Sequence, residues 1–108
     1  MAEEFHARVQ AQLKLALLGD CGCIKTLGNL ENEARSSGLT GAEIDAALTG
    51  RSFEARTAAA LTYACALKSG EPDLIERART HGLHIGVTDD ELSAIAREAK
   101  QILASMEQ

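Results

Sequence analysis

Apolar residues recur every three or four positions along most of this chain, which is the spacing of one face of an α-helix. From about Glu3 to Leu18, apolar side chains stand four positions apart and predict a first helix. The last helix has the clearest periodicity, and its apolar positions are Leu92, Ile95, Ala96, Ala99, Ile102, Leu103 and Met106. The pattern therefore predicts a helix near each end of the chain.

Capping residues and glycines predict two short helices after the first. The second helix is expected to open at the segment 21–23 and to continue through Ala34. Thr40 and Glu43 have the T-x-x-E spacing of a capping box, which predicts a third helix that ends at Gly50.

Two further helices are expected before the last one. The fourth should span about Phe53 to Ser69, with Ser52 as its N-cap. Pro72 stands where a first-turn proline is tolerated, so it opens the fifth helix. That helix is expected to fray into the segment 80–86, T-H-G-L-H-I-G, because its two glycines weaken a helix.

One segment of the chain repeats another. Residues 38–48 align without gaps to residues 86–96, and both begin with the spacing Gly-x-Thr-x-x-Glu. Two interpretations stay open: a capping motif that any two helix junctions share, or a duplicated helix pair.

Composition sets the fold class. The chain of 108 residues contains 19 Ala and 14 Leu, against 2 Val and 6 Ile. Ala and Leu favour helices, whereas strands draw on β-branched and aromatic residues. We therefore expect an all-α bundle of about six helices in one domain, residues 1–108. Because alanine buries little surface, such a chain often gains stability by forming oligomers.

Charge and apolar run length exclude several classes of function. The net charge of −5 disfavours binding to nucleic acid, and no apolar run is long enough to cross a membrane. The first ten residues lack the apolar core of a secretory signal, so we expect a cytoplasmic domain. A helix-turn-helix motif at residues 34–44 is possible by spacing, but Glu43 and Asp45 would repel DNA phosphates.

Cys21 and Cys23 are the candidate catalytic residues. They stand at the predicted N-terminus of a helix, where backbone N–H groups and the helix dipole stabilise a thiolate. A disulfide between them would close a small strained ring and be easily reduced. The alternative is that both are small buried apolar residues. Cys65 lies among apolar neighbours and is expected in the core.

His81 and His84 are the candidates for a metal site. On a continuous helix, a spacing of three would place both imidazoles on one face, where they could bind zinc together with Cys21 and Cys23. The interleaved glycines argue against such a helix, and the spacings are not those of a zinc finger. We therefore expect loop histidines and predict neither a metal nor a cofactor.

Residues 34–44, A-R-S-S-G-L-T-G-A-E-I, resemble the carboxymuconolactone decarboxylase-like superfamily, whose best-known redox members are the alkylhydroperoxidase D proteins. The segments 53–64 and 86–92 are also similar to this family. The resemblance implies an alkylhydroperoxidase D-like helical fold and a homo-oligomer, either a trimer or a hexamer.

The family's catalytic motif, C-x-x-C-x-x-x-H with an upstream glutamate, is degenerate in this chain. A gapless alignment places its first cysteine on Cys23, and its second cysteine, histidine and glutamate on Thr26, Leu30 and Ala11. A one-residue deletion would instead pair Cys21 with Cys23. The proton relay is missing in both alignments.

The resemblance and the cysteines together predict a thiol-based redox or antioxidant protein similar to alkylhydroperoxidase D. Cys21 and Cys23 would reduce hydroperoxides or cycle between dithiol and disulfide, and a thiol reductant partner would restore them. The alternative is a non-catalytic helical oligomer, a scaffold or small-ligand binder, that kept the fold and lost the relay. A decarboxylase ranks third, because no basic or histidine cluster suits a carboxylated lactone.

Overall fold

The computed structural model describes residues 2–19 and 24–105, and within these ranges the chain is all-helical with no strand. This confirms the all-α class and the six predicted helices, which form one compact domain. The helices are α1 (Ala2–Leu18), α2 (Ile24–Ser36), α3 (Gly41–Leu48), α4 (Ala55–Ser69), α5 (Pro72–Ile85) and α6 (Asp89–Ser105).

Helices α1 and α4 form the centre of the bundle. Helix α1 contacts α2, α3, α4 and α6, whereas α4 contacts α1, α5 and α6. Helices α2 and α3 thus pack on α1, whereas α5 and α6 pack on α4. The most deeply buried large side chains come from α1, α4 and α6: Leu13, Leu15, Leu17, Leu61 and Leu92. No helix in the described part of the chain is both long and apolar enough for a membrane span.

Helix α4 begins two residues later than the sequence pattern predicts. Its N-cap is Glu54, and the side chain of Ser52 accepts a hydrogen bond from the N–H of Glu54 at 3.2 Å rather than from inside the helix. Phe53 therefore precedes the helix, and it is 71% exposed.

Helix α5 does not fray at its glycines, so the prediction of loop histidines is wrong. The helix continues through the segment 80–85 and ends only at Gly86, whose φ of 112° is left-handed. Gly82 lies inside the helix, and a β-carbon there would stand 3.5 Å from the Leu92 side chain. That distance is an ordinary contact, so Gly82 lies against α6 although the packing does not require a glycine there.

The internal similarity extends beyond the two capping segments. Helices α2 and α5 begin 48 positions apart, at Ile24 and Pro72, and α3 and α6 begin at the same spacing, at Gly41 and Asp89. At that spacing the sequence repeats the pattern F-x-A-R-x-x-A-x-L-x-x-A, which starts at Phe5 in α1 and at Phe53, two residues before α4. The two halves therefore share helix order and spacing beyond the capping motif, which favours the interpretation of a duplicated helix unit. We call α1–α3 the N-terminal unit and α4–α6 the C-terminal unit.

Candidate functional site

Both candidate catalytic cysteines, Cys21 and Cys23, lie outside the described residues, as does the predicted start of the second helix at 21–23. The described residues that come just before the cysteines in the sequence are the last turn of α1 and Gly19. Side chains from α3 and α4 contact this end of α1.

The end of α1 is held closely against α3. The N–H of Gly19 donates to the carbonyl of Leu15 at 2.9 Å. A β-carbon at Gly19 would stand 2.5 Å from that carbonyl oxygen and 2.7 Å from a methyl group of Leu48. Glycine is therefore required by close packing at this position, since these distances are shorter than real contacts allow.

Two polar side chains from α4 reach the last turn of α1. The ammonium group of Lys68 donates to the carbonyl of Leu17 at 2.7 Å, and the thiol of Cys65 lies 4.0 Å from the carbonyl of Ala16. A helix C-terminus carries unpaired carbonyls and a partial negative charge, so a cation there is favourable. Lys68 thus places its charge against Leu17, a residue that precedes Cys21 by four positions in the sequence.

Cys65 is partly buried, so the prediction that it belongs to the core is wrong. It lines a groove between α4 and α5 together with Leu74, Arg77 and His81. The sequence pattern suggested burial because the neighbours of Cys65 in the chain are apolar. The small residues Ala66 and Ala78, which line the same groove, leave its floor open.

His81 and His84 both lie on the continuous helix α5 and line a shallow surface depression with Glu76. In the ranges that the structure covers, no three His, Cys, Asp or Glu side chains are grouped to bind a metal ion. A zinc site that joins these histidines to Cys21 and Cys23 would involve residues outside those ranges.

The two capping boxes predicted from sequence are both confirmed for their described residues. The carboxylate of Glu43 accepts the N–H of Thr40 at 2.9 Å, and that of Glu91 accepts the N–H of Thr88 at 3.0 Å. In return, each glutamate N–H donates to the threonine hydroxyl, at 3.2 Å and 3.1 Å. These reciprocal bonds satisfy N–H groups that the first helical turn leaves unpaired.

Each capping glutamate also binds an arginine from the first helix of its own unit. Arg8 donates to Glu43 at 2.8 Å, and Arg56 donates to both carboxylate oxygens of Glu91, at 2.6 and 2.8 Å. Sequence reasoning missed both arginines, although their 48-residue spacing equals that of the glutamates and was a usable signal.

These contacts lower the pKa of both capping glutamates. For Glu43 the main cause is the backbone N–H of Thr40, which outweighs the opposing effect of burial; the charge of Arg8 adds to it. For Glu91 the causes have the same order, with the backbone N–H of Thr88 first and Arg56 as the cation. Both carboxylates are therefore ionised at neutral pH.

The positions that the family resemblance assigns to the proton relay hold core residues in this chain. Ala11, in the place of the glutamate, is 3% exposed, and Leu30, in the place of the histidine, is 7% exposed. Neither side chain can accept or donate a proton, so these two positions supply no general acid or base.

A cavity of about 160 Å³ lies among α1, α4, α6 and the turn before α6. Its walls are mostly apolar, and the Arg56–Glu91 pair stands at one side. The lining residues are Val9, Arg56, Thr57, Ala60, Val87, Glu91, Ala94 and Ile95.

No protein-family model, no curated protein and no solved structure matches this chain. The resemblance to the carboxymuconolactone decarboxylase-like superfamily rests on the sequence motifs and stays a prediction.

Proposed function

We propose that this chain is a thiol-based redox protein in which Cys21 and Cys23 cycle between a dithiol and a disulfide. The observation that carries the proposal is the position of Lys68, whose ammonium group lies on the last turn of α1, just before the cysteine segment. For the proposed cycle this cation must lie near one of the two thiols, where it would favour the thiolate, the form that attacks disulfides and peroxides.

The chemistry proposed for the two cysteines is a two-electron oxidation. One thiolate attacks a sulfur of an acceptor disulfide, and the acceptor leaves as a thiolate that takes up a proton. The second cysteine, as its thiolate, then attacks the mixed disulfide, which closes the Cys21–Cys23 bond and releases the second acceptor sulfur. A reductant dithiol, the proposed partner, reverses these steps. A hydroperoxide could replace the acceptor disulfide and would leave as an alcohol and water.

Thiol–disulfide exchange is the more favoured of these two reactions. Reduction of a hydroperoxide requires a proton for the leaving alkoxide, and Ala11 and Leu30 cannot provide one. Exchange with a disulfide releases a thiolate, a much better leaving group, and needs no acid. A reducing cytoplasmic setting, which is part of this proposal, keeps the resting dithiol reduced.

The test is the intact mass of the reduced protein before and after one equivalent of a small disulfide or an organic hydroperoxide. We expect a loss of about 2 Da that disappears in Cys21→Ser and in Cys23→Ser. Cys65→Ser is the matched control and should retain the loss. Lys68→Gln should slow alkylation of the two cysteines at neutral pH, whereas Lys100→Gln on the exposed face of α6 should not.

An unchanged mass, or a gain of about 16 Da spread over Cys and Met residues, would contradict the redox proposal. A non-catalytic helical oligomer would then be the better description, as a scaffold or a small-ligand binder. The burial of Ala11 and Leu30 at the relay positions favours this second candidate.

Self-association into a trimer or a hexamer is part of both proposals. Three large apolar side chains that a second copy could cover are Phe53, 71% exposed, and Leu74 and Leu83, each 41% exposed. Light scattering on the purified chain measures the mass directly, and a monomer at high concentration would contradict the oligomer.

A further inference from the structure

The cavity beside α4 contains a polar group to which no described residue provides a hydrogen bond. Thr57 is 4% exposed, yet its side chain makes no hydrogen bond with the described residues. No side-chain oxygen or nitrogen in the described ranges is both sealed from solvent and unpaired. The hydroxyl of Thr57 must therefore remain accessible, and since Thr57 lines the cavity, the cavity is where it is reached.

The corresponding position in the N-terminal unit shows that the hydroxyl is not required for packing. Val9 stands 48 positions before Thr57, lines the same cavity and has nearly the same shape without a polar group. The Thr57 hydroxyl can be reached from the cavity, so water can pair with it while the cavity holds no ligand. A molecule that displaces this water must itself supply a hydrogen-bond partner, which Val9 would not require.

The size of the cavity limits what that molecule is. An apolar cavity of about 150 Å³ holds a benzene-sized molecule, and this one is about 160 Å³. Its walls of Val9, Ala60, Val87 and Ile95 offer apolar contact alone. A ligand with a single ring and few polar atoms fits these walls.

The charges at the rim disfavour an anionic ligand. Among the described residues that line the cavity, Arg56 is the only basic one, and it is already paired with both oxygens of Glu91. The lowered pKa of Glu91 keeps its carboxylate charged at neutral pH. A carboxylate ligand would find no unpaired cation among these lining residues and would have to displace Glu91 from Arg56, so an uncharged molecule suits the site better.

We propose that the cavity binds a small uncharged aromatic or alicyclic molecule that carries one hydrogen-bonding oxygen, which pairs with Thr57. This inference does not depend on the cysteine chemistry. The second candidate function, a helical oligomer that binds a small ligand, thereby acquires a specific site and a class of ligand.

Phenol, benzene and benzoate are the three probes for this site, titrated into the isotope-labelled full chain and followed by amide chemical shifts. We expect saturable phenol binding with shifts around Thr57, Ala60 and Ala94. Thr57→Val should weaken phenol binding roughly fivefold, the loss of one neutral hydrogen bond, and leave benzene binding unchanged. Thr62→Val, on the exposed side of α4, is the matched control and should change neither.

Ala94→Leu should abolish binding of both phenol and benzene by filling the cavity, and Ala94→Val serves if the larger side chain lowers the thermal midpoint. Cys21→Ser with Cys23→Ser should bind phenol normally, which separates this site from the redox proposal. Non-saturable shifts, an equal effect of Thr57→Val on phenol and benzene, or tighter binding of benzoate than of phenol would overturn the inference.

Discussion

The N-terminal and C-terminal units contain the same capping box but use the neighbouring arginine differently. In the N-terminal unit, Arg8 donates one Nη to the carbonyl of Gly38 at 2.8 Å and the other to Glu43. In the C-terminal unit, one Nη of Arg56 donates to both oxygens of Glu91. The first arrangement ties the helix junction to α1, whereas the second leaves the arginine at the rim of a cavity.

The C-terminal unit also has smaller side chains in its interior than the N-terminal unit. At equivalent positions the N-terminal unit has Gln12, Leu17, Leu18 and Leu30, and the C-terminal unit has Ala60, Cys65, Ala66 and Ala78. Gln12 is 2% exposed and donates to the carbonyl of Arg8 at 3.3 Å, so its side chain fills space inside the N-terminal unit. Ala60, at the equivalent position, is too small to fill that space in the C-terminal unit and lines the cavity. A duplicated unit can thus keep its helix junctions and change what its interior holds, because junctions depend on a few polar bonds and cavities on side-chain volume.

The largest expected effect is the loss of stability when a buried leucine of either unit is shortened, and it tests whether the two units share one core. Leu13 and Leu61 occupy equivalent positions and are 1% and 0% exposed. Leu13→Ala and Leu61→Ala should each lower the free energy of unfolding by ~2–5 kcal/mol, through lost burial and a new cavity. Chemical denaturation measures both. Two separate transitions in either variant would show that the units unfold independently.

A smaller effect is expected at two of the four left-handed glycines in the described helix junctions, Gly38 and Gly86, which occupy equivalent positions in the two units. Gly38 and Gly86 have φ of 92° and 112°, so alanine at either position costs ~1–2 kcal/mol of strain. A β-carbon at Gly38 would also stand 3.2 Å from the Arg8 guanidinium, while that at Gly86 meets nothing within 4 Å. We expect Gly38→Ala to be the more destabilising change in thermal melts. The reverse order would contradict the role given to Arg8.

The smallest expected effect is a pH-dependent loss of stability when either capping glutamate is replaced. Folding lowers the pKa of Glu43 and Glu91 below the ordinary value of 4.5, so their stabilisation is present above that pH and is lost as pH falls through the folded pKa. Glu43→Gln and Glu91→Gln should each cost ~0.5–1 kcal/mol at pH 7, and the difference from wild type should shrink in acid.

The side chain of Glu43 is 21% exposed and that of Glu91 is 40% exposed, so Glu43→Gln should have the larger effect. Denaturation midpoints at neutral and acid pH measure the loss of stability in each variant. A variant whose deficit grows in acid would contradict the assigned direction of the pKa shift.

Local sequence patterns predicted the helices and both capping boxes, because periodicity and caps depend on residues within one or two turns. They failed for the segment 80–85, because Gly82 is buried inside α5 against residues beyond its own helix, which a local pattern does not show. They also missed the Arg8–Glu43 and Arg56–Glu91 pairs, whose partners are 35 residues apart. The cavity depends on volumes contributed by three helices, so no local pattern indicates it.

Helices α1 and α4 pack against each other, so the two units share one interior. Each unit contributes one central helix, and α1 is covered by α4 and α6 of the other unit as well as by α2 and α3. Cutting the chain in the α3–α4 connection, between Thr49 and Glu54, would give two fragments that each lack half of their shared interior. Such fragments would fold on meeting one another, which makes this junction a natural place to split the protein for complementation or to permute its termini.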